Sequence, residues 1–214
     1  MNTLDWQPIF QKFVEEQMTF DPAHDIAHIK RVVTSGIALA AKEQADLAIV
    51  FPACWLHDCV NVPKDSPQRS QGSVLSADRA IEFLREIHYP EHTFDAIHHA
   101  ISAHSFSANI ATQSLEANVV QDADRLDALG AVGLSRCLML GATWGSKLYD
   151  PLDPFAVNRD LNDKIFCIDH FYVKLKGLVN TMKTPSGLDE ARTRWQFMQL
   201  FLDQLGHEAG EPSN

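Results

Sequence analysis

Four residues carry the chemistry that this chain advertises: His28, the adjacent pair His57-Asp58, and Asp124 within Gln121-Asp122-Ala123-Asp124-Arg125-Leu126. Two imidazoles and two carboxylates, drawn from three segments, make a donor set for a borderline-to-hard divalent ion. Two ligands from neighbouring residues are easiest to aim at one ion near a helix end, where regular geometry breaks. If the four converge, the ion keeps open positions, and an open metal site means hydrolytic or redox chemistry.

The members carry unequal weight. A histidine on an amphipathic helix, such as His28 one turn after His24, is by itself as consistent with packing as with ligation. His57-Asp58 differs, because Ala53-Cys54-Trp55-Leu56 precedes it. An apolar helix that ends on two titratable groups drives them inward, where leaving them unpaired is costly. Asp122, Asp124 and Asp127 crowd two turns of one helix. Such like charges oppose a helix unless cations neutralise them. Arg125 is one candidate cation and a metal another, and the residues alone leave open which aspartate is the ligand.

Two neighbouring segments add to the set. Lys64 and Arg69 lie on a proline-shaped loop just after Asp58, and cations beside a metal suit phosphate oxygens. His98, His99 and His104 lie in Ile97-His98-His99-Ala100-Ile101-Ser102-Ala103-His104. His104 stands where a helix gives way to a polar loop, so it is the candidate for a substrate contact. His98 and His99 fit a surface cluster better.

The elements that must position these groups read as helices. Apolar periodicity predicts helices over about 6–17, 25–44, 45–57, 73–88, 91–103, 114–128, 131–140, 163–182 and 188–205. Val60–Ser70, with two prolines, breaks regular structure. The stretch 141–159, with Gly141, Gly145, Pro151 and Pro154, is expected to be a lid or surface loop. No segment alternates as a strand does. The fold class is therefore all-α, and a single domain is expected from 214 residues.

Composition narrows the function classes. A formal net charge of −10 argues against a general nucleic-acid binder. A small anionic substrate remains compatible, because the local field at a site can oppose the global sign. The first twenty residues lack the basic and apolar regions of a secretory signal, and no run is long enough to span a membrane. The expectation is a cytoplasmic protein in which Cys54, Cys59, Cys137 and Cys167 are reduced, three of them in apolar helical context. Its oligomeric state is open, a homodimer being one option.

With these residues in order, the chain resembles the HD-domain superfamily of metal-dependent phosphohydrolases. His28 with Arg31-Val32 is similar to the first histidine helix of that superfamily, Leu56-His57-Asp58 to its signature pair, and Ala123-Asp124-Arg125-Leu126 to its last aspartate. More narrowly, HDIAHIKRV, LHDCVNVPKDSPQRS, AISAHSFSANI, LEANVVQDADRLDALGAVGLSR and DHFYVKL resemble the YpgQ/YedJ-like branch. The resemblance implies a helical HD core over about 24–128 with further helices over about 129–208. It implies one divalent ion, Mn²⁺ first and Fe²⁺, Co²⁺, Ni²⁺ or Mg²⁺ as alternatives, on His28, His57, Asp58 and Asp124, with His57 and Asp58 central to catalysis. It selects Asp124 over Asp122. Lys64, Arg69 and His104 would then contact the substrate.

For this branch the implied reaction is hydrolysis of a nucleoside triphosphate to a monophosphate and pyrophosphate. Asn61-Val62 and Lys64-Asp65 stand where alarmone hydrolases carry a Glu-Asp pair, and no Gly-Tyr-Pro is present, which argues against cyclic-dinucleotide phosphodiesterases. Two alternatives remain from the same pattern. One is a di-iron oxygenase that recruits His98, His99 and His104; the other is a non-catalytic nucleotide-binding module.

Overall fold

A computed structural model describes residues 3–17, 25–62 and 69–210, without the side chain of Arg69. It is all-α: among the described residues no strand forms, and one isolated bridge joins Lys147 to Phe166. The chain divides into two compact units, Met1–Asp124 with Lys183–Gly187, and Arg125–Met182 with Leu188–Asn214.

The first unit is built from α1 (Gln7–Gln17), α2 (Ile26–Glu43), α3 (Leu47–Leu56), α4 (Gly72–Glu86), α5 (Phe94–His104) and the part of α6 (Leu115–Leu126) that ends at Asp124. Asp25 starts α2 by accepting a hydrogen bond from the His28 amide at 2.8 Å, which satisfies one of the orphan donors of a first turn. Gln44 stops α2 in the left-handed region at φ 60°. Asp46 then caps α3 by accepting from Ala48 N at 2.8 Å. The Ser114 hydroxyl accepts from Ala117 N at 3.1 Å and opens α6 as the sequence suggests.

Helix α3 is the centre of this unit. Its residues from Val50 to Leu56 are all buried, as a helix apolar on every face must be. Pro52 sits inside it and has no N–H to give to the carbonyl of Ala48. The hydroxyl of Tyr89 donates to that carbonyl at 2.8 Å. A side chain 41 positions away thus supplies the bond that the proline withholds. Phe10 of α1 packs its ring against Phe51 of α3 and Phe83 of α4, with centroids 5.8 and 6.2 Å away. Helix α2 approaches α3 closely at Gly36, where an added methyl would meet Cys54 Sγ at 2.5 Å. The absent side chain sets the distance between the helix that carries His28 and the one that ends on His57.

The second unit contains α7 (Gly130–Thr143), a turn-rich segment over 144–166, α8 (Cys167–His170), a π-helical turn (Phe171–Leu175), α9 (Lys176–Leu178), a 3₁₀ turn (Val179–Thr181) and, from Leu188, α10 (Pro185–Ala209). The expected helix over 163–182 is therefore late and irregular. Residues 163–166 are used otherwise: Ile165 and Phe166 turn back on the Asn162 carbonyl, and Lys147 and Phe166 bridge. The segment expected to be a lid is fastened within its unit. Arg159 donates two hydrogen bonds, at 2.6 and 2.8 Å, to the buried carboxylate of Asp169. Asn162 N adds a third at 2.6 Å.

Candidate metal centre

The first unit brings four of the expected residues together. His28 lies in the first turn of α2, His57 caps the end of α3, Asp58 follows it, and Asp124 lies on α6. Donor atoms of His28, His57 and Asp58 lie within 4.8 Å of one another. The two Nε2 atoms are 3.3 Å apart. Asp58 Oδ2 is 3.6 Å from His57 Nε2 and 4.0 Å from His28 Nε2. Asp124 Oδ1 approaches from α6, 3.5 Å from His28 Nε2 and 3.8 Å from His57 Nε2. Asp124 thus meets both imidazoles as closely as Asp58 does.

The donor chemistry fits a divalent ion. The His57 Nδ1–H donates to the Cys54 carbonyl at 2.9 Å. That bond fixes the tautomer and leaves Nε2 as a lone pair aimed at the cluster, the usual arrangement for a metal-binding imidazole. Burial holds His57 below its ordinary range, against the opposing pull of Asp58, so the ring is available as a neutral ligand. Two imidazole nitrogens and two carboxylates, converging within a few ångströms, suit a borderline-to-hard cation and leave positions for water or a phosphate oxygen.

His104 joins the cluster from the end of α5. Its Nε2 is 3.5 Å from Asp58 Oδ1, and its Nδ1 donates to the Ile101 carbonyl at 2.6 Å. Burial disfavours its cation, yet the hydrogen bond to Asp58 and the charges of Asp58 and Asp124 prevail and push it up to about 8. His98 and His99 go elsewhere. His98 pairs with Asp78 at 2.9 Å on an exposed face, and His99 accepts from Gln113 N at 2.9 Å. Of the three histidines in that segment, His104 is the one facing the centre, which removes two of the extra ligands the oxygenase alternative would recruit.

The three aspartates of α6 separate by role. Asp122 is wholly buried and accepts from Lys183 N, Thr184 N and Thr184 Oγ1, each at 2.8 Å. Asp127, in the second unit, pairs with Arg136. Arg125 donates to the Thr181 carbonyl at 2.7 Å. The cation that neutralises Asp127 is thus Arg136, a residue the sequence pattern did not single out.

Nearby thiols are poor nucleophiles. Burial and then Asp124 push Cys54 far up, and burial and then Asp58 push Cys59 up to about 12. Neither offers the thiolate that covalent catalysis requires. Lys64 lies outside the described residues, as does His24; Arg69 opens a 3₁₀ turn before α4, its side chain being outside them too. Sequence reasoning missed the groups that orient the ligands, Asp25 and the carbonyls of Cys54 and Ile101. Backbone acceptors leave no signature in residue type, and the sequence marks Asp25 only as the start of its helix.

The model of the HD domain family matches residues 25–129. By sequence the chain is 33% identical over 186 residues to the Bacillus subtilis protein YpgQ, covering 85% of this chain and 82% of that one. The chain belongs to the HD domain family. Its structure resembles that of an HD-superfamily hydrolase from Bacillus thuringiensis with a TM-score of 0.75 and 29% identity, covering 97% of this chain and 98% of the other. It resembles YpgQ of B. subtilis in complex with ADP with a TM-score of 0.74, 29% identity and 97% of each chain covered.

Proposed function

We propose that this protein is a divalent-metal-dependent phosphohydrolase acting on nucleotides, and that it splits nucleoside triphosphates into a monophosphate and pyrophosphate. The observation that carries this reading is the convergence of His28, His57, Asp58 and Asp124, with His57 Nε2 presented as a lone pair. Family membership supports hydrolysis, and the ADP complex of YpgQ supports a nucleotide as the ligand.

His28, His57, Asp58 and Asp124 hold the ion in this proposal, with Mn²⁺ the first choice and Fe²⁺, Co²⁺, Ni²⁺ or Mg²⁺ as competitors. Such an ion supplies Lewis-acid polarisation of a phosphate oxygen and acidifies a water. Its charge roughly balances two carboxylates, so the centre does not repel a polyanion. His104, with a proton at Nε2 beside Asp58, would donate a hydrogen bond to a phosphate oxygen. Lys64 and Arg69, close to Asp58 in sequence, neutralise phosphate charge. Metal-depleted protein reloaded with Mn²⁺ tests the reading against a panel of phosphorylated metabolites, with orthophosphate and pyrophosphate read separately. Pyrophosphate released one-for-one with a monophosphate is the expected result. Orthophosphate alone, or metal-loaded protein that turns over no nucleotide, overturns it.

A further inference from the structure

The loop after α5 carries an aromatic ring that the metal centre does not use. Phe106 is 76% exposed, whereas the other exposed large hydrophobics described in the first unit, Leu4, Ile9 and Leu115, are 37–42% exposed. Single exposed apolar side chains are common on protein surfaces; the location distinguishes this one. Phe106 lies two residues beyond His104, whose Nε2 is 3.5 Å from Asp58 Oδ1. Two extended residues span at most about 7 Å between Cα atoms, so the ring is rooted close to the centre.

The loop that presents it is anchored. Ser105 ends α5 in extended conformation at φ −74° and ψ 132°, and its hydroxyl lies 3.0 Å from that of Ser107. Asn109 turns the chain in the left-handed region at φ 51°, a conformation asparagine tolerates better than most residues. Gln113 N is held by His99 of α5 at 2.9 Å, and Ser114 caps α6. The segment is thus tied at one end to the helix of His104 and at the other to the helix of Asp124.

We propose that Phe106 is the stacking platform for the base of a nucleotide whose phosphates occupy the metal centre. A Phe ring left in water regains the burial it lacks when a planar base covers it, and such stacking tolerates any base because each has a π-face. The substrate class is therefore a phosphate that carries a nucleobase, in preference to a sugar phosphate or an inorganic polyphosphate. This rests on the phosphohydrolase reading above for the position of the phosphates.

The test compares ADP with pyrophosphate, which carries the same phosphates without the nucleoside, by calorimetric titration of Mn²⁺-loaded full-length protein. Phe106→Ala raises the Kd for ADP roughly 5- to 100-fold, Phe106→Leu does so partly, and Phe106→Trp keeps wild-type affinity. Pyrophosphate binds all four proteins alike. The proposal is overturned if Phe106→Ala leaves ADP affinity within about twofold of wild type, if ADP and pyrophosphate weaken together, or if the wild type binds ADP no more tightly than pyrophosphate. Failure of the phosphohydrolase reading is separately visible as absent turnover of nucleoside triphosphates by a wild type whose preference for ADP remains measurable.

Discussion

Asp122 and Asp124 are two positions apart on α6, and their replacement by alanine should have opposite consequences. Asp122 is wholly buried and accepts three hydrogen bonds at 2.8 Å, two of them from backbone amides of Lys183 and Thr184. Hydrogen bonds to a charged acceptor contribute about 1.5–3 kcal/mol each, and a buried amide left without an acceptor costs about 1–3 kcal/mol. The Thr184 hydroxyl is able to rotate to another partner, so the two amides dominate. Asp122→Ala is expected to cost about 4 kcal/mol and to lower the melting temperature by roughly 10 °C for a chain of this size. Asp122→Asn keeps an acceptor for one amide but turns an NH₂ toward the other, and should cost about half as much.

Asp124 has 28% of its side chain exposed and faces two imidazoles. Asp124→Ala should leave the melting temperature of the metal-depleted protein nearly unchanged. It should also weaken Mn²⁺ binding by more than the roughly 100-fold that loss of an outer-shell partner causes. Differential scanning calorimetry of the metal-depleted proteins and competition with a chelator measure the two effects independently. An Asp122→Ala protein that melts normally but has lost its metal, beside an Asp124→Ala protein that retains it, would refute the assignment of roles.

Three further outcomes follow from the same structure. Tyr89→Phe leaves the Ala48 carbonyl without the donor that substitutes for Pro52, and should lower stability by about 1–2 kcal/mol in denaturant titrations. In a Pro52→Ala background, where residue 52 regains its N–H, that cost should shrink, and an unchanged cost would contradict the explanation. Gly36→Ala forces a methyl against Cys54 Sγ and should cost about 1–3 kcal/mol, a loss that Cys54→Ala should partly restore. In the metal-depleted protein, His104 is raised from 6.5 to about 8. A histidine raised on folding stabilises fully below its unfolded value, and that contribution vanishes as pH climbs through the folded one. Unfolding free energy should therefore fall by up to about 2 kcal/mol between pH 6.5 and 8.5. His57, shifted downward by burial, acts in the opposite sense and on the acid side of this window. A His104→Ala protein that keeps the same alkaline slope would exclude His104 as its source.

The difference between Asp122 and Asp124 also marks where residue types stop being informative. Both sit in the same acidic, partly apolar stretch, and two helical positions separate them by about 200° around the axis. Which of them looks toward His28 and which toward Lys183-Thr184 depends on where α6 lands and on a segment 61 residues further along the chain. Resemblance to HD sequences chose Asp124; periodicity by itself did not. His57-Asp58 was legible for a local reason, because seven buried apolar residues of α3 carry the pair inward. His98, His99 and His104 look alike as letters, yet only the last turn of α5 brings an imidazole to Asp58.

The helices themselves were largely written in local patterns. Apolar spacing places α1 to α7 within a few residues of where they form. The exception is 163–182, where backbone groups of 162–166 are committed to Lys147 and Asp169 from elsewhere in the second unit. Local sequence, then, settled which segments are helical and that an inward His-Asp pair ends one of them, because propensity, capping and amphipathic burial act over a few residues. Tertiary structure alone decided the membership of the centre and the partner for the carbonyl that Pro52 leaves bare. Those depend on atoms brought together from positions far apart in the chain, and residue type at any one position does not encode them.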